Sequence, residues 1–550
     1  MGGWTFPAQA NVKIPVVFGD HMVLQRDMKV PVWGWADPGE EVTVTFGDKT
    51  AKTAADSSGN WRVDLDPMGV NETPQTLTVT GKNTIKFEDV LVGDVWLCSG
   101  QSNMALGLSE VHNAAEILPT VNDPELRFFT VETSDTAIEP QKDTRGSWRL
   151  ATPENASRFS GTAYFFIREI RKDLKIPIGL IHVDHGGTGA QTWLSVEAIQ
   201  KNVKADPEFQ SWLDEHAKLL AEYPAKLPAY LPLEKKYVED INHWRAEVYN
   251  SPEFTQKRKE WEIEAQEALV ENKKAPPPPP PPVPAPKEPD RPEGDRNQLA
   301  NVYNAKLFPL IPYAIKGVAW YQGESNSGNA KQYRVLFPIL IEDWREKWGE
   351  GDFPFVFVQL PNLGTLPTTP DQQPEKWVGD FVGVREAQAM ALALPNTGMA
   401  VAIDLGNPQN VHPKDKMDVG IRLSLVARHL AYGENIVYTG PTYDSMKVEG
   451  NKIRITFKNV GGGLEIGVPP WTASGIIPPL ASELQCFTIS GADKKWAWAK
   501  AMIEGDDVIV WSDEVANPIA VRYDWFNNPN GNLYNKEKLP AAPFRTDDWE

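Results

Sequence analysis

A serine at the end of an apolar run is the first residue of this 550-residue chain whose position suggests covalent chemistry. Ser102 follows the run that ends at Cys98 and lies beside Gly100. A serine hydroxyl is a weak nucleophile, so it needs a nearby base, a group that orients this base, and donors for the oxyanion that forms on attack. The same position also suits a serine that only caps a helix. The chemistry to test is therefore acyl transfer through Ser102.

The base for such a serine has to come from a small set of histidines, since the chain contains eight. His412 lies in the loop that we expect between a strand ending at Asp404 and a helix beginning at Lys416. His185 competes, because it ends its own predicted strand, whereas the helical spacing of His429 is typical of packing. We favour His412, since a loop histidine above the edge of a sheet is accessible.

Glycines and an amide offer donors for an oxyanion. Gly186, Gly187 and Gly189 could bring backbone N–H groups close to a substrate, because glycine has no Cβ. The side chain of Gln322 could add a further donor. Both features are also compatible with ordinary turn chemistry.

The overall charge disfavours several classes of partner. The formal net charge is -19 and no stripe of Lys and Arg interrupts the acidic background, so we expect neither a nucleic-acid partner nor an anionic membrane surface. The chain has no run of 18 or more apolar residues, so no transmembrane helix and no membrane insertion are expected. The sequence does not indicate an oligomeric state.

The cysteines and aromatic residues narrow the chemistry further. Cys98 and Cys486 lie far apart, and neither belongs to a CxxC or Cys/His cluster that would suggest zinc, so the cysteines give no metal signature. Cys98 has the pattern of a small buried hydrophobe. The chain contains 20 Trp and 14 Tyr, whose flat faces and polar tips suit sugar rings.

The elements that must position these residues are strands and helices of an α/β pattern. Residues 90–98 are almost continuously apolar, which predicts a strand buried on both faces of a parallel sheet. In open parallel sheets ligands bind beyond the carboxyl ends of the strands, so the polar loops after them should converge. The further predicted elements are strands at 178–183, 315–321, 355–360 and 399–404, and helices at 163–174 and 416–432.

Composition shifts predict how the chain is divided. Residues 1–10 are expected to be a leader remnant or tag, 11–88 a β-sandwich-like domain, 89–432 the catalytic domain and 433–550 a β-rich domain. A polar helical and Pro-rich insertion is expected at about 201–299, where Pro276 to Pro282 should form an extended spacer or a packed strap. Ala8, Gln9 and Ala10 have the form of a signal cleavage site, so we expect a periplasmic or secreted protein; an ordinary disordered N-terminus is the alternative.

Four blocks of sequence carry a resemblance to a known family. The chain resembles the sialate O-acetylesterase branch of the SGNH/GDSL hydrolases, which are carbohydrate esterases. The blocks are residues 93–104, 186–193 and 320–326 and the pair His412-Pro413. The resemblance extends to residues 22–26, 385–388, 532–535 and 543–547, and only the insertion falls outside it.

The resemblance implies a fold and a mechanism. It implies a flavodoxin-like three-layer α/β/α core flanked by N-terminal and C-terminal β-rich domains. Ser102 would attack an acetyl carbonyl and His412 would serve as base and then acid, without metal or cofactor. The oxyanion hole would consist of the backbone N–H groups of Ser102 and Gly187 and the side chain of Gln322, while Asn326 shapes the loop. The substrate would be 9-O-acetyl sialic acid or an acetylated plant or algal polysaccharide such as xylan, xyloglucan or pectin.

The residue behind the histidine departs from the family pattern. Relatives place an Asp two or three positions before this histidine, but here Asn410 and Gln409 occupy these positions. Three explanations remain: a Ser-His dyad oriented by Asn410 or a backbone carbonyl, an acid from another loop, or an impaired enzyme. Glu324 is the best alternative acid, because related acetyl xylan esterases use a glutamate in this block, and Asp404 is next. A non-catalytic carbohydrate-binding protein is the alternative function.

Overall fold

The structure is a computed structural model that describes residues 11–132, 136–270, 276–470 and 481–549. For residues 262 and 265–270 it describes only the backbone. The cleavage-site pattern at Ala8, Gln9 and Ala10 lies outside the described residues.

The N-terminal region is built of short strands, as its alternating sequence predicts. Strand β2 pairs with β5, while β3 pairs with β4 and β6. The strands are β1 Val23–Gln25, β2 Val30–Trp35, β3 Glu41–Phe46, β4 Lys49–Ala54, β5 Asn60–Leu65, β6 Asn71–Thr80 and β7 Thr84–Gly100.

Strand β7 joins this region to the rest of the molecule. Its first residues alternate between exposed and half-buried and pair antiparallel with β6. From residue 90 onward all its residues are buried, and this half pairs in parallel with two strands of the central sheet. The alternating and continuous apolar patterns of the sequence therefore belong to two halves of one strand.

The central region contains a mixed sheet with helices packed on it. Its strands are β8 Asp123–Val131, β9 Gly146–Ala151, β10 Ile178–Asp184, β11 Gly317–Tyr321, β12 Phe355–Gln359 and β13 Thr397–Val401. Its helices are α1 Ser102–Ala105, α2 Ala114–Ile117, α3 Pro153–Ala156, α4 Gly161–Leu174, α5 Val196–Lys201, α6 Phe209–Trp244, α7 Pro252–Val270, α8 Ala330–Trp348, α9 Phe381–Met390 and α10 Lys416–Tyr432. These bounds confirm the strands and helices that we predicted from the apolar runs, except that β13 ends at Val401 and not at Asp404.

The strand order of the sheet is β13-β12-β11-β7-β10-β8-β9, in which only the β8–β9 pairing is antiparallel. Helices cover both faces. On one face Trp96 packs edge-on against Phe166 of α4 at 5.1 Å, and its indole donates to the Tyr432 hydroxyl at 3.0 Å. On the other face Trp320 packs against Trp344 of α8 at 5.4 Å. Burial of each large apolar side chain stabilises the fold by about 1.5–3 kcal/mol.

The predicted insertion is helical and is followed by an extended segment. Helices α6 and α7 occupy most of it, and residues 276–289 form neither helix nor strand. The indole of Trp244 donates to the carbonyl of Val283 at 2.8 Å, and that of Trp261 donates to the carbonyl of Pro276 at 2.8 Å. The Pro-rich segment is therefore a strap packed on its own helices.

The C-terminal region is β-rich and has its own hydrophobic cluster, which includes Ile453, Ile489 and Val521. Alternation at residues 452–457 predicted β15, whose inward residues are buried. The strands are β14 Thr442–Glu449, β15 Lys452–Lys458, β16 Leu464–Ile466, β17 Phe487–Gly491, β18 Trp496–Trp498, β19 Lys500–Glu504, β20 Asp507–Trp511, β21 Pro518–Tyr523, β22 Leu533–Asn535 and β23 Phe544–Arg545. Among the described residues, no helix is long and apolar enough to cross a membrane.

Candidate active site

The nucleophile candidate lies at the carboxyl end of β7. Gly100 ends this strand with φ +145°, and a Cβ at this position would lie 2.1 Å from the carbonyl oxygen of Tyr321, so only glycine fits. The chain then turns, and Ser102 begins α1. The Oγ of Ser102 lies 2.7 Å from the Nε2 of His412, although the two residues are 310 positions apart in the sequence. The structure thus brings together the predicted nucleophile and the predicted base.

Asn410 holds the backbone of the histidine loop and does not hold the imidazole ring. Its Oδ1 accepts a hydrogen bond from the backbone N–H of His412 at 2.9 Å. The side chain of Asn407 accepts in turn from the backbone N–H groups of Gln409 at 2.9 Å and Asn410 at 3.2 Å. These bonds hold the backbone of His412 in place and thereby position its ring beside Ser102.

The competing histidine is placed differently. The backbone N–H of His185 donates to the carbonyl of Gly100 at 3.0 Å, and its buried Nδ1 has no partner among the described residues. Burial, reinforced by the charges of Lys306 and Arg296, lowers the pKa of His185 to about 3. His185 is therefore a neutral packed residue, and no hydrogen bond joins it to Ser102 in the described part of the chain.

The pKa of His412 is lowered from its usual value. Burial is the main cause, the positive charge of Lys416 acts in the same direction, and the carboxylate of Glu110 opposes them. A lowered pKa keeps the imidazole neutral at pH 7, and a neutral Nε2 can accept the proton of the serine hydroxyl.

Neither carboxylate expected as the third triad member reaches the ring. Glu324 is 8% exposed, and its Oε1 accepts from the Nδ2 of Asn103 at 2.5 Å. Asp404 binds the guanidinium of Arg422 and accepts from the Tyr534 hydroxyl at 2.8 Å. Within the described ranges, no hydrogen bond or ion pair joins His412 to a carboxylate. The expected direct contact of Glu324 with the histidine is thus absent: its Oε1 is bound to Asn103, and its buried Oε2 has no hydrogen-bond partner among the described residues.

Asn103 is the centre of a buried polar network that the sequence did not predict. Its Oδ1 accepts from the ammonium of Lys416 at 2.6 Å, while its Nδ2 donates both to Glu324 and to the carbonyl of Val411 at 2.8 Å. Lys416 also lies over the ring of Tyr321, 5.0 Å from its centroid. We call Asn103, Glu324, Lys416 and the Val411 carbonyl the Asn103 network. It joins the residue after the nucleophile to the residue before the base.

Burial shifts both charged members of this network. It lowers the pKa of Lys416 to about 7, although the nearby Glu324 and Asp415 oppose the change. It raises the pKa of Glu324, against the hydrogen bond from Asn103 and the charge of Lys416. A lysine in the first turn of α10 is a signal that sequence reasoning could have used, because a cation is unfavourable at a helix N-terminus.

Two backbone N–H groups, one of the serine itself and one of the glycine loop, are candidate donors for an oxyanion. The N–H groups of Ser102 and Gly187 have no hydrogen-bond partner among the described residues. A Cβ on Gly186 would lie 3.6 Å from the Cβ of Ser102, so this loop lies against the nucleophile. Gly187 adopts φ +69°, and a Cβ there would lie 3.3 Å from a guanidinium nitrogen of Arg296.

The expectation that Gln322 donates to the oxyanion does not fit the structure. Its Nε2 donates to the carbonyl of Thr188 at 3.1 Å and to the Oδ1 of Asn326 at 2.7 Å, so both N–H bonds are already used. The Oδ1 of Asn326 also accepts from the backbone N–H of Ala190 at 2.9 Å. Gln322 and Asn326 therefore hold the glycine loop in place.

Comparison with known proteins identifies the family. Residues 92–217 and 298–427 match the family described as carbohydrate esterase, sialic acid-specific acetylesterase. The mouse sialate O-acetylesterase is 32% identical over 570 residues, which cover 96% of this chain and 92% of the mouse protein. The chain belongs to this family. The rat sialate O-acetylesterase is 31% identical over 459 residues, which cover 77% of this chain and 74% of that protein.

A solved structure agrees with this membership. The crystal structure of a carbohydrate acetylesterase from Xanthomonas citri has a TM-score of 0.74 and 32% identity, with coverage of 98% of this chain and 100% of that chain. The predicted resemblance is confirmed, and the chain is a carboxylic ester hydrolase of the carbohydrate acetylesterase group. The family match is interrupted between residues 217 and 298, where most of α6, all of α7 and the Pro-rich strap lie.

Proposed function

We propose that this chain is a serine-dependent carbohydrate O-acetylesterase with an SGNH-type core, which acts through an acetyl-enzyme on Ser102. The observation that carries the proposal is the 2.7 Å separation between Ser102 Oγ and His412 Nε2 at the carboxyl edge of the sheet. A neutral histidine at this distance is in reach to act as general base.

The reaction then follows in two balanced halves. His412 takes the hydroxyl proton while Oγ of Ser102 attacks the acetyl carbonyl, and the N–H groups of Ser102 and Gly187 bind the oxyanion. His412 returns the proton to the departing sugar oxygen, which leaves the acetyl group on the serine. Water attacks this ester with His412 again as base, and acetate leaves as Ser102 regains its proton. Loss of one oxyanion donor typically costs about 2.7–4 kcal/mol of transition-state stabilisation.

We propose a Ser-His dyad without a direct carboxylate. Asn410 holds the backbone of His412, and the Asn103 network holds the preceding carbonyl of Val411. Such a dyad lacks the carboxylate that fixes the imidazole tautomer in a full triad, a contribution worth up to about 10⁴ in rate. We therefore expect a slower enzyme than one with an aspartate behind the histidine.

The proposed substrate is an acetyl ester on a sugar. The relatives named above act on sialate or carbohydrate esters by their names. For this chain we propose either 9-O-acetyl sialic acid or an acetylated plant or algal polysaccharide such as xylan or xyloglucan. Acetate release from a panel of these substrates identifies which one is used.

The deciding experiment compares Ser102→Ala with Ser109→Ala. Ser109 is an exposed serine a few residues further along the chain, so it is a matched control. We expect Ser102→Ala to lose hydrolysis of 4-nitrophenyl acetate and labelling by a fluorophosphonate, while Ser109→Ala keeps both. Full activity in Ser102→Ala would show that the proposal is wrong.

The missing carboxylate at His412 favours one alternative, a non-catalytic carbohydrate-binding protein on a degenerate esterase scaffold. It predicts glycan binding by the wild type without acetate release and without labelling of Ser102. Acetate release and labelling of Ser102 therefore distinguish the esterase from the carbohydrate-binding protein in the same panel of substrates.

We propose a periplasmic or secreted protein with domains at 11–88, 89–432 and 433–550, of which the first two share β7 across residue 88 and should remain together on proteolysis. Fractionation of cells that express the full gene tests the location, and limited proteolysis followed by mass spectrometry of the stable fragments tests the division.

A further inference from the structure

A cleft of about 600 Å³ lies between the N-terminal β region and the segment that leads into β11. Its lining includes Trp33, Trp35 and Trp61 of the β2–β5 ladder and residues of the segment 308–312. Ser102 follows the carboxyl end of β7, whereas residues 308–312 precede the amino end of β11, and these two strands are parallel. The cleft and the candidate active site therefore lie at opposite edges of the central sheet.

The β2–β5 ladder places two of these indoles in a row. Trp33 and Trp35 are separated by one residue of β2, so they project from the same face, about 7 Å apart. The strand register pairs Trp33 with Arg62 and Trp35 with Asn60, which brings a guanidinium and an amide to this face. Phe18 packs edge-on against Trp33 with ring centroids 4.9 Å apart, so this indole is held in place.

These groups match the chemistry of a sugar. A pyranose presents C–H groups on its ring faces and hydroxyls around its edge, and indole faces, amides and guanidinium groups complement both. Trp61 is paired with Gly34, so its buried indole projects from the opposite face of the ladder and does not belong to this row.

We propose that this cleft is a second carbohydrate site, which binds a neutral glycan chain away from the active site. A wholly apolar ligand would desolvate Asn60 and Arg62 without replacing their hydrogen bonds. A nucleic acid would be repelled by the net charge of -19. Arg62 already pairs with Asp64 at 2.8 Å, which reduces its preference for an acidic sugar.

The site would raise the local concentration of substrate. A glycan held on the same molecule presents its acetyl groups to the active site at an effective concentration set by the connecting chain, whereas a small ester gains nothing. This consequence rests on the proposed function, but the binding itself does not depend on the role of Ser102.

The test uses Trp35→Ala in the full chain. The backbone of Trp35 is held by two hydrogen bonds to Lys13, of 2.7 and 2.9 Å, so removal of the side chain leaves the strand paired. Trp498→Ala is the control, because Trp498 is a 39% exposed tryptophan of the C-terminal region. The probes are deacetylated xylan, xyloglucan and mixed-linkage β-glucan, with polygalacturonate as the acidic comparison, in affinity electrophoresis and titration calorimetry.

We expect the wild type and Trp498→Ala to bind at least one neutral glycan more tightly than polygalacturonate, and Trp35→Ala to bind it about tenfold more weakly. Hydrolysis of 4-nitrophenyl acetate should be unchanged in both variants, which reports that they fold. Asn60→Ala provides a second variant if Trp35→Ala does not fold. Absence of neutral-glycan binding by the wild type, or equal binding by the variants, would overturn the proposal. Deacetylated probes keep this outcome separate from any failure of the proposed esterase function.

Discussion

The ammonium group of Lys416 donates to the side-chain oxygen of Asn103 over 2.6 Å inside the protein. This bond joins the first turn of α10 to the residue next to the nucleophile. The same lysine is the charge that acts with burial to lower the pKa of His412. The Asn103 network therefore acts on His412 in two ways: it binds the carbonyl of the preceding residue, Val411, and the charge of Lys416 lowers the pKa of the imidazole.

Lys416→Met should move the acidic limb of the pH profile. Removal of the positive charge raises the pKa of His412, so more of the imidazole is protonated at a given pH and the acidic limb of kcat/KM shifts to higher pH. Lys414→Met is the control, since Lys414 is exposed two positions earlier. The profile of 4-nitrophenyl acetate hydrolysis measures the shift, and an unmoved limb in Lys416→Met would contradict the electrostatic role.

Asn410→Asp should convert the dyad towards a triad. A carboxylate two residues before His412 raises the pKa of the histidine and stabilises the imidazolium that forms during attack, so kcat should rise tenfold or more. Asn407→Asp adds the same charge to the same loop and should not raise kcat. Equal plateau rates for Asn410→Asp and the wild type would mean that residue 410 acts only on the backbone.

Glu324 variants distinguish a positioning residue from a triad acid. Glu324→Gln keeps an oxygen that accepts from Asn103, so we expect kcat within tenfold of the wild type. Glu324→Ala leaves the buried amide without this partner, which costs about 1–3 kcal/mol of stability. Steady-state kinetics and thermal unfolding measure both effects; a loss near 10⁴ in the Gln variant would identify Glu324 as the acid instead.

Gly187→Ala should impair the oxyanion loop. The φ of +69° at this residue costs an L-amino acid about 1–2 kcal/mol, and the new Cβ would approach Arg296. We expect a lower kcat with little change in the unfolding temperature, because the loop can shift. Gln322→Ala should also lower kcat, by releasing Thr188 and Asn326. An unchanged kcat in Gly187→Ala would show that the backbone N–H of residue 187 does not bind the oxyanion.

Local sequence predicted most of the catalytic framework. Continuous apolar runs identified the strands of the central sheet, since strands buried on both faces leave no polar positions. The run at 416–432 gave the observed bounds of α10, which is capped by Asp415 at its start and ends at Gly433 in the left-handed region. Loop position at the ends of these elements identified Ser102 and His412 as candidates.

The Asn103 network could not be predicted in this way. Its bonds connect residues 221 and 313 positions apart, so no local period or spacing reports them. Gln322 has the right residue type for a donor, and only its contacts with Thr188 and Asn326 reveal that its N–H bonds are used. The sequence identifies which side chains can donate a hydrogen bond, whereas the packing decides whether their N–H groups are already bound.

Strand β7 limits where the chain can be truncated. One half of this strand belongs to the N-terminal sheet and the other half carries the nucleophile at its end. A truncation at residue 88 would remove most of the first half of this strand, together with the β1 and β6 partners of residues 90–93, and would leave an unpaired edge in the strand that ends next to Ser102. The N-terminal region is therefore not an exchangeable module, and its grafting onto another protein would have to include the catalytic strand.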